Sequence, residues 1–140
     1  MMGLRRQVVG ALVVTMAICA WSCSLTERQP LGGLEEISTS NPAVVRAAQF
    51  ALSEFNKESN DIYVSKIARI VSAKQQLVAG VKYILEVELG RTQCRQGEVD
   101  DLESCEFHAT PHKTHCNFEV LTVAWMEEIS LIKNTCTPLN

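Results

Sequence analysis

The stretch Arg69–Gly90, RIVSAKQQLVAGVKYILEVELG, decides the fold. In its second half Val81, Tyr83, Leu85, Val87 and Leu89 fall on one side and Lys82, Glu86 and Glu88 on the other, with Ile84 the exception. That period of two predicts a half-buried antiparallel strand. The residues before it read as a second arm, with Gln76-Leu77-Val78-Ala79-Gly80 at the bend. A bend facing only water would favour Asn-Gly or Asp-Gly, which accept positive φ and satisfy their own backbone groups. This one is apolar. Periodicity leaves two placements open: Leu77 and Val78 form an exposed binding tip, or they lie inside the strand and the turn sits at Ala79-Gly80.

Upstream, Asn41-Pro42 predicts a helix start, with Asn41 as N-cap and Pro42 where a missing N–H is harmless. Val44, Ala47, Ala48, Ala51, Leu52 and Phe55 follow at i, i+3, i+4, i+7, i+8 and i+11, one apolar face for a core. Helix signals fade over Asn56–Asp61, and a short strand is expected near Leu34–Ile37. Downstream, Thr92–His115 is polar and reads as a connecting loop. Asn117–Val123 and Ile129–Thr135 read as strands around a bend at Ala124-Trp125-Met126-Glu127-Glu128. His108, His112, His115 and Cys116 raise the question of zinc, but Pro111 argues against a helix that would align them, and no metal or other cofactor is expected.

At the N-terminus Arg5 and Arg6 precede a charge-free, largely apolar run from Val8 to Ala20, too short to cross a bilayer comfortably and suited to a signal peptide. Cleavage after Ser22 or after Ser24 would suit signal peptidase. The later cut removes Cys19 and Cys23 and leaves Cys94, Cys105, Cys116 and Cys136, an even set in an oxidising compartment. The expected organisation is therefore 1–24 as leader and 25–140 as one domain of a secreted protein. Loss of Arg5 and Arg6 from 13 basic residues leaves 11 against 16 acidic ones, a net charge of about −5. No basic stripe points to nucleic acid or to an anionic membrane. No nucleophile, base and orienter can be assembled from the spacing, so an enzyme is not expected. No Asn-x-Ser/Thr sequon is present.

Gln76-Leu77-Val78-Ala79-Gly80 fits the pattern Q-x-V-x-G, and the resemblance extends along nearly all of the chain past residue 30. In order come Gly32, Arg46-Ala47-Ala48-Gln49-Phe50-Ala51, Ser59-Asn60-Asp61, Gly90-Arg91-Thr92-Gln93-Cys94, Cys105-Glu106-Phe107-His108, Trp125 and Cys136. The chain resembles the secreted type 2 cystatins, reversible inhibitors of papain-like cysteine proteases. The resemblance implies an α+β fold in which an antiparallel sheet of about five strands wraps one long helix. It implies disulfides Cys94–Cys105 and Cys116–Cys136, a pairing that spacing alone does not select from the three connectivities.

It also implies an inhibitory wedge placed against cathepsin-type proteases. The trunk Pro30-Leu31-Gly32 would form one part, the tip Gln76–Gly80 the second, and the hairpin with Ala124-Trp125 the third. The family has Pro-Trp where this chain has Ala124-Trp125, which predicts a less preorganised loop and a modest loss of affinity. In some members a Ser-Asn-Asp at the place of Ser59-Asn60-Asp61 inhibits the asparaginyl endopeptidase legumain, away from the papain-binding edge. The same three residues also suit a plain helix end. A monomer is expected, with hairpin exchange into a dimer as a further implication. The alternative is a secreted binding protein of the same fold without inhibition, for which Ala124 is the single argument.

Overall fold

The computed structural model describes residues 33–110 and 112–139. The expected leader 1–24 and the trunk residues Pro30, Leu31 and Gly32 lie outside them. Five strands and one long helix follow in the order β1 (Leu34–Glu36), α1 (Pro42–Glu58), β2 (Tyr63–Val78), β3 (Gly80–Arg95), β4 (Lys113–Val123) and β5 (Glu128–Leu139). They make one sheet in the order β1-β2-β3-β4-β5, with every neighbouring pair antiparallel. The fold is α+β, as the sequence implied.

Helix α1 starts as expected: the Asn41 side chain accepts a hydrogen bond from the Ala43 N–H at 2.8 Å, and Pro42 opens the first turn. Its apolar face, Val44, Ala47, Ala48, Ala51 and Leu52, is buried against Leu85, Val87, Leu89, Phe118 and Val120 of the sheet. Three alanines in that face let the strands come close to the helix axis. At its other end Asn56 is clamped to β2, donating to the Ser65 carbonyl and accepting the Ser65 N–H, both at 2.9 Å. The strand alternation of β3 is realised, since Tyr83, Leu85, Val87 and Leu89 are all buried.

Two readings need correction. The first arm does not end at Gln76: Gln76, Leu77 and Val78 pair with Lys82, Val81 and Gly80, so the strands run to an apex at Ala79. Leu77 and Val78 thus lie inside the strand and are nevertheless exposed. Thr92–His115 is not a loop throughout. β3 continues to Arg95 and β4 begins at Lys113, and Thr92 is fully buried with its hydroxyl donating to the Val64 carbonyl at 2.7 Å. Within the same segment the His108 ring meets Tyr63 edge-on at 4.7 Å, and its Nε2 is buried. Both disulfides form, with Cys116 directly opposite Cys136 in the β4–β5 ladder. Cys116 is thus unavailable to zinc, and among the described residues no group of three or more His, Cys, Asp or Glu gathers to hold a metal.

Candidate functional site: an apolar edge of two hairpin tips

The β2–β3 and β4–β5 hairpins turn at the same end of the sheet, because Val81 pairs with Thr122. Gly80 makes this approach possible. Its φ is +119°, and a Cβ there would lie 2.5 Å from the Thr122 carbonyl oxygen and 3.1 Å from Val123 Cγ2. Only glycine combines that backbone conformation with that contact. The Thr122 hydroxyl adds a hydrogen bond to the Val81 carbonyl at 3.3 Å.

Beyond the contact, β4 ends in a single 3-10 turn, Ala124–Met126, closed by Glu127 in the left-handed region at φ 52°. That turn holds Trp125 outward, 71 % exposed. Leu77, Val78, Gly80, Val81, Thr122, Ala124 and Trp125 line one open, mainly apolar depression between the tips. Five of the predicted residues, Leu77, Val78, Gly80, Ala124 and Trp125, therefore meet there. Ala79 is exposed at the apex. Gln76 stands one step back, paired with Leu34 on one side and Lys82 on the other.

Sequence reasoning missed three contributors to this edge. Leu34 opens β1 opposite Gln76, at the tip end of the sheet, and is 56 % exposed. Met126 and Ile129 extend the second tip, at 57 % and 40 % exposed. Together these apolar side chains give one end of the molecule a face that water alone does not favour. Met126 and Ile129 were visible as apolar residues beside the second bend, whereas Leu34 joins the tip end only through the pairing of β1 with β2.

Ser59, Asn60 and Asp61 lie at the opposite end of β2, separated from the tip by its length, roughly 50 Å of strand rise. Ser59 caps α1, and its hydroxyl accepts the Asp61 N–H at 3.1 Å. The Asp61 carboxylate accepts the Tyr63 N–H at 3.0 Å and the Arg91 Nε–H at 2.8 Å, and Arg91 Nη2 stands in ion-pair contact with it at 2.8 Å. Partial burial pushes the Asp61 pKa up. The Arg91 hydrogen bond, the Tyr63 N–H and the charges of Arg91 and His108 outweigh that and hold it below the usual carboxylate value. Arg91 in turn is held more firmly protonated by its hydrogen bond to Asp61. Between these fixed neighbours Asn60 is exposed. Arg91 lies 30 residues from Asp61, so no local pattern in the sequence could pair them.

A sheet wound about one helix, with two abutting hairpin tips forming an apolar edge, is the cystatin architecture, and the chain belongs to the cystatin family of protease inhibitors: the cystatin domain model matches residues 32–125. Among relatives it is similar to the cystatin of Coturnix japonica, 49% identical over 109 residues, covering 76% of this chain and 93% of that one. It is similar to cystatin-2 of Crotalus adamanteus at 42% identity, covering 96% and 98% of the two chains. Among solved structures, dimeric human cystatin F aligns with a TM-score of 0.73 at 33% identity, covering 84% of this chain and 98% of that one.

Proposed function

We propose that this protein is a secreted, reversible, tight-binding inhibitor of papain-like cysteine proteases of the cathepsin type, freed of residues 1–24 and acting as the single domain 25–140. The observation that carries the reading is the locked pair of tips, with Leu77, Val78 and Trp125 exposed around one depression. Leu77 and Val78 enter the apolar walls of the protease cleft beside its catalytic cysteine, and Ala79 and Gly80 turn the chain. Trp125, with Ala124, covers the primed side, while Pro30, Leu31 and Gly32 take the other side. Gln76 anchors the first tip to β1. The wedge presents no peptide carbonyl in line with the nucleophile, so the cleft is blocked and the inhibitor is not cut. Two hairpins held in one sheet reach the protease already ordered, which lowers the entropy cost of binding.

Asn60 supports a second, independent activity of the same molecule, inhibition of legumain through a substrate-like asparagine. What favours it is an exposed Asn60 whose neighbours Ser59 and Asp61 are fixed by hydrogen bonds. The inhibitor works as a monomer; exchange of the β2–β3 hairpin between two copies would bury the wedge and abolish the first activity. Titration of papain and of an asparaginyl endopeptidase with the secreted product tests both readings. Asn60→Ala is expected to remove only the second inhibition.

A further inference from the structure

The second tip carries one chemically reactive group that the wedge reading leaves unused. Met126 ends the 3-10 turn beside Trp125 and is 57 % exposed, so a dissolved oxidant meets this residue without any unfolding. The chain has 4 methionines and 6 cysteines. Met1, Met2, Met16, Cys19 and Cys23 fall within the leader 1–24. The other cysteines are paired as Cys94–Cys105 and Cys116–Cys136. Met126 is thus the one sulfur of residues 25–140 still in its reduced form, and it sits on the apolar edge.

We propose that Met126 is a reversible oxidation site that tunes inhibition. The inference rests on the wedge reading above. In the step, the thioether sulfur attacks one oxygen of hydrogen peroxide, an S–O bond forms and the O–O bond breaks. The departing hydroxide takes the proton from the oxygen now on sulfur and leaves as water, so sulfur loses two electrons and peroxide gains them. The sulfoxide is polar and chiral where the thioether was apolar and adaptable. Carrying it into the protease interface next to Trp125 requires stripping water from a strong acceptor. The fold is untouched, because Met126 packs in no part of the core.

The test starts from the full chain expressed with its own leader, the secreted product being collected and its mass measured. Hydrogen peroxide should add one oxygen, mapped to the peptide containing Met126, and weaken papain inhibition about tenfold. Methionine sulfoxide reductases A and B together, which cover both epimers, should restore it. Met126→Leu, compared with its own untreated value, should be indifferent to peroxide. If oxidised wild type inhibits as well as untreated, the proposal fails while the wedge stands. If Met126→Leu loses inhibition under peroxide as wild type does, another group, Trp125 foremost, is the target and the proposal also fails. An untreated product that leaves papain fully active would overturn the wedge reading itself, and this proposal with it.

Discussion

Gly80 stands against the carbonyl of Thr122, with 2.5 Å from its ideal Cβ position to that oxygen. The contact makes two hairpins into one edge, so it predicts a loss of inhibition without a change of surface chemistry. Gly80→Ala adds a methyl group at φ +119° and must push β4 away. A strained left-handed residue costs roughly 1–3 kcal/mol, and the displacement of the second tip adds to it. The expected result is a lower Tm and a large rise in the inhibition constant for papain. Thermal melts alongside titration check both.

Trp125 carries the opposite expectation, an effect on binding and almost none on stability, since it is largely exposed. Trp125→Ala should cost about 2 kcal/mol or more in affinity, the range of an aromatic interface anchor, with Tm unchanged. Ala124→Pro should tighten inhibition severalfold. Val123, at φ −121° and ψ 95°, is in extended backbone and not in the α region that a following proline disfavours, and Ala124 opens a 3-10 turn, a first helical position that suits proline.

The Asp61–Arg91 pair makes a prediction in pH. Asp61 has a pKa lowered from 3.8, so the pair stabilises the fold fully above that value and loses its contribution as pH falls through the lower folded-state pKa. Arg91→Gln should move the Asp61 pKa back up, read by NMR of the side-chain carboxyl. The stability loss at pH 7 should stay near 1 kcal/mol, because both side chains are partly exposed. Papain inhibition should not change.

Removing the Cys116–Cys136 bridge by paired substitution to Ala and Val should cost roughly 3 kcal/mol, the loop entropy of a closure of this length. Urea melts measure it. Because β5 stays paired to β4 through its ladder, the variant should still inhibit at temperatures where it is folded.

The pattern of what was legible follows from burial. β3 and α1 each bury one face, so their periods of two and of 3.6 stand out in Val81–Leu89 and in Val44–Phe55. β2 showed no such pattern. Its ladder has register shifts between Tyr63 and Ser65, between Ile67 and Arg69, and between Ile70 and Ser72, and each shift resets which side chains face the helix. The far ends of β3 and β4 were hidden because Thr92 and Lys113 are polar, and Thr92 is buried only by virtue of its bond to Val64. At the site, the residues of the two tips were recognisable from Gln76–Gly80 and Trp125. Their contact through Gly80 and Thr122, like that of Asp61 with Arg91, depends on the assembled sheet and leaves no local trace.

The central claim is that the exposed apolar tips enter a protease cleft, and Val78→Asp tests it most directly. Val78 is 40 % exposed, so the variant should fold with a Tm close to wild type. Buried in an interface, the carboxylate would go unpaired at a cost of several kcal/mol. Titration of papain with a fluorogenic substrate should give tight, reversible inhibition by the secreted wild type and at least about a hundredfold weaker inhibition by Val78→Asp. Equal inhibition by the two folded proteins, or none by a monomeric, correctly bridged wild type, would contradict the wedge and point to a binding protein of this fold that does not inhibit.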